Sequence, residues 1–326
     1  MNIPSTQGHR ARIPLKDSIA AVGALIIPCL LPELNSILQF FMPGAAAAFL
    51  NTCSFRRNLA VLLAVYIAGS IIFLVTGMVA STLILAQASV ICGGLLIAVW
   101  KRVEAPETFL VLTLSVICMS IIVMVVASGW NIQEIYTKMI TAMTNEYDKA
   151  VELYKKNSNG PLPAQLDQLI ISIRETLVAY FPGIVCSFFV FLGFANTITF
   201  TKLNSIKGRE CNLEPEFDRW RLPWWLVWAF ILFGFMAVVP EGIWPVIGRN
   251  GVLVLCVLYL IQGFSIMKFF FKVMDTPIYI RYLVYALIGI QWYGLLLVVF
   301  TGLMDNWFDF RTRIEKRITP EKKDQD

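Results

Sequence analysis

Two acidic residues stand beside prolines in otherwise apolar sequence: Glu33 in Pro32-Glu33-Leu34-Asn35, and Glu241 in Val238-Val239-Pro240-Glu241-Gly242, followed by Trp244 and Pro245. Proline removes a backbone donor and unwinds the turn before it, which exposes carbonyls to which a small polar ligand or ion can bind. Glu33, Asn35, Glu241 and Trp244 are therefore candidate ligand-binding residues. The plainer alternative is that proline ends each helix and the glutamate sits among lipid headgroups. A second set is amides inside apolar runs: Gln39, Gln87, Asn196, Gln262 and Gln291. An amide in hydrocarbon seeks a partner on another helix, and such bonds average about 0.6 kcal/mol in the measured case. The set reads as interhelical glue, with Gln262 also a candidate to line a ligand cavity. Asp305, Asp309 and Arg311 could together coordinate a phosphate. Trp307 and Phe308 between them look more like an interfacial helix end, where a charged cluster is normally solvated.

Much chemistry is excluded. The single histidine is His9, in the polar amino-terminal stretch, so histidine triads, HExxH zinc sites and bis-histidine haem ligation are out of reach. There is no Walker A loop and no GxSxG elbow. Seven cysteines (Cys29, Cys53, Cys92, Cys118, Cys186, Cys211, Cys256) form no CxxC pair, and most lie in apolar runs, where a thiol packs as a small hydrophobe. No catalytic residue, metal site or cofactor is expected.

Long apolar stretches explain why ionisable groups are so few. The chain is 57% hydrophobic and 15% charged, with a mean hydropathy of +0.68, which places it outside soluble domains. A charge in mid-bilayer costs about 2.5–3.5 kcal/mol on insertion scales, and about 20 apolar helical residues cross a hydrocarbon core of roughly 30 Å. Nine apolar segments can be drawn: 18–34, 36–50, 59–77, 79–100, 108–128, 176–200, 223–240, 250–271 and 280–303. The first follows Arg10, Arg12 and Lys16 as a signal peptide would. It carries Pro28 and Pro32 and lacks a small-x-small cleavage site, so it reads as a retained helix.

Between Trp130 and Glu175 the pattern changes. Ile132, Ile135, Met139, Met143, Tyr147, Ala150 and Tyr154 recur at spacings of three and four, one stripe on a helix. Asn157-Ser158-Asn159-Gly160-Pro161-Leu162-Pro163 ends it, and a second stripe (Leu166, Leu169, Ile170, Ile173, Leu177) leads into the next span. The result is a helical hairpin, read as a surface cap or as a lid over a ligand site.

With a cytoplasmic amino terminus, the inner loops hold Arg56, Arg57, Lys101, Arg102, Lys202, Lys207, Arg209, Arg219 and Arg221, as the positive-inside rule requires. The expected organisation is a cytoplasmic polar tail (1–17), transmembrane segments one to five (18–128), an extracytoplasmic hairpin (129–175), segments six to nine (176–303) and a basic polar tail (304–326). Nine crossings would put that tail outside, so one segment is expected not to cross, either the piece around Pro43 or the one around Pro240. Most tryptophans (Trp100, Trp130, Trp220, Trp224, Trp225, Trp244, Trp307) fall near segment ends, where they act as anchors. The expected fold is all-α: a polytopic bundle of eight or nine membrane segments. Ala20 with Ala24, Gly44 with Ala48, and Ala64 with Ala68 have small-xxx-small spacing that permits close helix contact.

Asn250 heading the eighth segment, Leu260-Ile261-Gln262-Gly263 within it, and Gly302-Leu303-Met304-Asp305-Asn306-Trp307-Phe308-Asp309-Phe310-Arg311 after the ninth resemble the YybS-like family of bacterial membrane proteins. The resemblance extends over almost the whole chain, including Pro43 and Arg56-Arg57-Asn58. That family is similar, distantly, to the substrate-binding subunits of energy-coupling-factor vitamin transporters, six-helix proteins with the amino terminus inside. The resemblance implies a partner-docking face at Ala20 and Ala24; the hairpin and the segments after residue 220 depart from the plan.

Three functions follow as expectations. The first is a bacterial inner-membrane subunit that binds an unknown small molecule from the outer side and is energised by a transporter coupling subunit. The second is a cell-envelope assembly scaffold similar to MreD-type proteins, binding envelope proteins. The third is a membrane enzyme acting on a lipid-linked substrate. Membrane lipid is a partner in all three, and nucleic acid in none.

Overall fold

A computed structural model describes residues 15–31, 33–51, 55–127, 131–157, 164–209, 213 and 215–318. His9, Cys53, Trp130, Cys211, Pro32 and most of the turn 157–163 lie outside the described residues. Among those described there are thirteen α-helices and no strand: α1 Leu15–Leu30, α2 Asn35–Leu38, α3 Met42–Leu50, α4 Phe55–Val75, α5 Val79–Lys101, α6 Ala105–Ala127, α7 Ile132–Asn157, α8 Ala164–Ile206, α9 Leu226–Ala237, α10 Trp244–Val273, α11 Ile278–Ile290, α12 Trp292–Phe308 and α13 Phe310–Ile318. Five stretches are long and apolar enough to cross a membrane: Phe55–Val75, Val79–Lys101, Ala105–Val123, Gln165–Ile206 and Trp244–Val273. The pair α11–α12, bent by 107°, makes a sixth if counted as one span.

The departures from nine segments have local causes. The second expected segment is one turn (α2) followed by the nine residues of α3. Pro43 sits in the first turn of α3, where its missing N–H would have no partner in any case. Nine residues rise about 14 Å, well short of a crossing. The second hairpin stripe and the sixth span form one helix of 43 residues, α8, with Pro182 inside it. The seventh segment is a helix of 12 residues, α9. Helix ends close by carbonyl capping through left-handed residues. After α4, Gly77 has φ +76° and the Met78 N–H reaches the Phe73 carbonyl at 2.7 Å; after α5, Arg102 has φ +56° and Val103 N–H reaches Ala98 at 2.9 Å.

The chain divides into two units, one of Met1–Val116 with Phe191–Glu216 and one of Ile117–Val190 with Phe217–Asp326. In the first, α1 packs on α3 and α5, and α5 also packs on α3 and α4. Ala46, Ala47 and Ala48 of α3 are fully buried, so small side chains let the short helix sit close to its neighbours. Asn196 is fully buried and ties it down. Its Oδ1 accepts from Gly44 N–H at 2.7 Å, and its Nδ2 donates to the carbonyls of Gln39 and Leu192, each at 2.9 Å. Asn51 Nδ2 donates to Asn204 Oδ1 at 3.1 Å.

In the second unit α10 is central, packed by α9, by α12 and by the 3₁₀ turn Phe217–Arg219. Methyl groups at Gly263 or Gly302 would run into the carbonyls of Val298 and Tyr259 respectively, so this crossing is a backbone-to-backbone approach that glycine permits. Helix α7 and the first turns of α8 are joined as antiparallel neighbours. Tyr147 donates its hydroxyl to the Ile170 carbonyl at 2.8 Å, and Lys155–Asp167 (3.0 Å) and Arg174–Asp148 (3.3 Å) pair across them. At Pro182 the buried amide of Asn250 intervenes. Gly183 N–H donates to Asn250 Oδ1 at 2.6 Å, and Asn250 Nδ2 donates to the Ala179 carbonyl at 2.9 Å. Those are the two backbone groups that an uninterrupted helix would pair with each other.

Candidate functional site

The densest polar constellation lies in the second unit, where α10, α12, α13 and the loop before α9 meet. Gln262 and Ser265 are three residues apart, on one face of α10. Asp305 continues the buried face of α12 that carries Val298 and Gly302. Asp309, with φ +41°, turns the chain between α12 and α13, and Arg311 follows in the first turn of α13. All four polar side chains are enclosed: Gln262, Ser265, Asp305 and Arg311 are 3%, 0%, 4% and 4% exposed.

Their bonds close on one another. Arg311 Nη1 donates to Asp305 Oδ2 at 3.3 Å, and Nη2 donates to the Trp220 carbonyl at 2.9 Å and to Ser265 Oγ at 2.8 Å. Asp305 Oδ1 accepts from Phe310 N–H at 3.1 Å, and Oδ2 accepts from Gln262 Nε2 at 3.4 Å. Gln262 Oε1 accepts from Leu222 N–H at 3.2 Å. Arg311 Nε is enclosed with no hydrogen-bond partner among the described residues. Burial pulls the Arg311 guanidinium below its ordinary pKa, and the charge of Asp305 opposes that loss. The expectation of a solvated cluster at 305–311 is thereby corrected for Asp305 and Arg311. Each neutralises the other inside protein, which leaves neither open to a phosphate.

A second tier surrounds this pair. Asp218 is 1% exposed and lies 3.1 Å from Lys272 Nζ and 3.6 Å from Lys268 Nζ. Burial works to raise its pKa, but the hydrogen bond from Lys272 and the two ammonium charges outweigh it and hold the carboxyl below its ordinary value. Lys268 Nζ also stands 5.6 Å from the centre of the Phe217 ring. Arg221 pairs with Asp309, and Arg219 with Glu315 at 3.2 Å. Burial pushes the Asp309 carboxyl up, but hydrogen bonds from Thr312 and Arg221 leave it lowered on balance. The sequence contained a signal for the buried pair: 298, 302 and 305 share one helix face, so a residue at 305 falls on the packed side.

The other candidates are separately placed. Glu33 is exposed in the turn after α1, and Asn35 opens α2. The Oδ1 atom of Asn35 is enclosed, with no hydrogen-bond partner among the described residues. Ala24 is 5% exposed and Ala20 is half-buried, whereas Ile19, Ile27 and Leu30 line the exposed side of α1. These residues belong to the first unit. In the second, Glu241 and Trp244 are exposed at the start of α10. Gln262 is eighteen residues further along the same helix, about 27 Å by helical rise, so it does not join them at a common mouth. Of the mid-chain amides, Asn196 and Gln262 bridge elements, whereas Gln291 is exposed at the α11–α12 bend. Among the described residues no three histidine, cysteine, aspartate or glutamate side chains are gathered so as to hold a metal ion.

Residues 18–306 match the family described as "Predicted membrane protein (DUF2232)", and the chain belongs to that family. No curated protein and no solved structure matches it.

Proposed function

We propose that this multi-pass membrane protein is a small-molecule-binding subunit of the bacterial inner membrane, energised by a separate coupling partner, with Glu33 and Asn35 contacting the ligand from the outer side. The observation that carries the reading is the enclosed, unpartnered Asn35 Oδ1 two residues from the exposed Glu33 carboxylate, at the broken end of α1. A buried acceptor without a donor costs about 1–3 kcal/mol, and a ligand donor removes that cost. A carboxylate and an amide oxygen are both acceptors, so the ligand is a hydrogen-bond donor, and a cationic one satisfies both best. Support also comes from the first unit itself, which holds the first four leading segments and parts of the fifth and sixth, the region that, by resemblance to the YybS-like family and the energy-coupling-factor subunits, forms a binding module. The chain is not an enzyme in this reading, and the mutual burial of Asp305 and Arg311 counts against chemistry on a lipid-linked phosphate. The amino terminus is cytoplasmic. Glu241 and Trp244 are the corresponding candidates in the second unit.

An envelope scaffold is the second reading. It is favoured by the α7–α8 hairpin, which exposes Leu153, Tyr154, Leu169 and Ile173 and which this reading places outside the cell to bind envelope proteins. Native mass spectrometry of the mildly solubilised protein separates the two. Retained small molecule together with a coupling subunit is expected; envelope proteins with no small molecule would favour the scaffold instead.

A further inference from the structure

We infer that the bent pair α11–α12 is re-entrant, entering and leaving the membrane through the same face. Helix α11 has 13 residues, a rise of about 20 Å against a hydrocarbon core of roughly 30 Å. It ends at Gln291, whose backbone is extended (φ −107°, ψ 118°), and the axis there turns by 107°.

Both ends of the pair are tied to the same part of α10. At the first end, Arg281 donates Nε to the Thr276 carbonyl at 2.8 Å and Nη2 to the Phe271 carbonyl at 3.2 Å. At the second, Arg311 donates Nη2 to Ser265 Oγ at 2.8 Å. Ser265 and Phe271 are six residues apart, about 9 Å along the helix. A crossing pair would hold its ends apart by the full hydrocarbon thickness, and two arginine side chains do not make up a deficit of about 20 Å. The opposite end of α10 is far away: Trp244 precedes Ser265 by twenty-one residues, about 32 Å, which does match a crossing.

Charge follows the same geometry. Lys268 and Lys272 pair with Asp218 at this end of α10, Arg221 with Asp309, and Arg219 with Glu315. The chain after α12 therefore emerges beside the basic loop at 217–222. The basic tail and the basic loop then share one face, as the positive-inside bias demands. At the bend the Gln291 carbonyl is satisfied by the N–H groups of Gly294 (2.9 Å) and Leu295 (3.3 Å), which lowers the cost of broken helix at depth.

The test is one of sidedness. In a full-length chain whose own cysteines are replaced by serine, Arg219→Cys, Glu241→Cys and Lys323→Cys are each labelled with a membrane-impermeant maleimide in sealed vesicles of known orientation. Arg219→Cys and Lys323→Cys are expected to react from one face, and Glu241→Cys from the other. Reaction of Lys323→Cys from the Glu241→Cys face, wholly or in part, overturns the inference. A parallel measurement needs no substitution. Trypsin added to vesicles holding the natural chain with a carboxy-terminal epitope should remove the epitope only in the orientation where it also cuts after Arg219 or Arg221. Removal in the opposite orientation contradicts re-entry.

Discussion

Asp305 and Arg311 form an enclosed pair whose value lies in mutual neutralisation. Removing one partner leaves a buried charge, so Arg311→Ala should destabilise the solubilised protein by roughly 3–5 kcal/mol, whereas exchanging both for apolar residues, Arg311→Met with Asp305→Leu, should recover most of that loss. Thermal unfolding followed by tryptophan fluorescence checks both, and equal damage from the single and double variants would contradict the pairing. Asp218 makes a pH prediction. Its folded pKa lies below the ordinary carboxyl value of 3.8, so the unfolded chain takes up the proton more readily. Its contribution is therefore complete at neutral pH and is lost as acid carries the protein below about pH 4, through the folded pKa. Asp218→Asn should flatten the stability profile in that window; an unchanged acid limb would show that the lysine contacts contribute nothing. Sequence alone pointed to Asp305 and Arg311 but treated them as solvated, because charge is read as exposure unless the helical face beneath it is traced. Asp218 and Ser265 carried no local pattern at all: each becomes polar core only through a loop folding onto α10.

Among the elements, α8 and α10 depend on each other at Pro182. Asn250→Ala removes the amide that serves Gly183 N–H and the Ala179 carbonyl, and should cost about 1–3 kcal/mol. If the amide compensates for proline, Pro182→Ala should reduce that cost by letting the helix pair its own groups; additive losses in the double-mutant cycle would refute the link. Gly263→Ala forces a methyl into the Val298 carbonyl and should separate α10 from α12, read as a lower unfolding temperature. Helix existence was legible from hydropathy and period, and the carboxy-terminal ends of α4, α5 and α10 fall within two residues of the expected segments, although α4 and α10 begin four and six residues earlier. Three features were not. The junction of α8 hides because an amphipathic stripe and a membrane run look like separate elements, although only continuous helical backbone joins them. Helix α9 is shorter than its apolar run because Trp224 and Trp225 form a turn and Pro240 follows it. The bend at Gln291 has no proline; its trace in the sequence is Gly294, where a Cβ would lie 3.1 Å from Ile288 Cα across the turn.

For the molecule as a whole, composition sets the solvent and charge placement sets the sides. A chain with five helices long and apolar enough to cross a membrane has few ionisable groups to spare, and Asp218, Arg219, Arg221, Lys268, Lys272, Asp305, Asp309, Arg311 and Glu315 gather at one end of α10 in mutual pairs. In the first unit the Asn35 amide oxygen is enclosed without a hydrogen-bond partner among the described residues, two positions from the exposed Glu33 carboxylate, and the proposed binding role rests on it. Mass measurement of the intact, mildly solubilised wild-type chain beside Glu33→Ala and Asn35→Ala tests that role most directly. The expected result is a bound small molecule on the wild type, absent from both variants while their unfolding temperatures stay within a few degrees of it. Equal retention by all three chains, or a wild type that holds no small molecule, would contradict it.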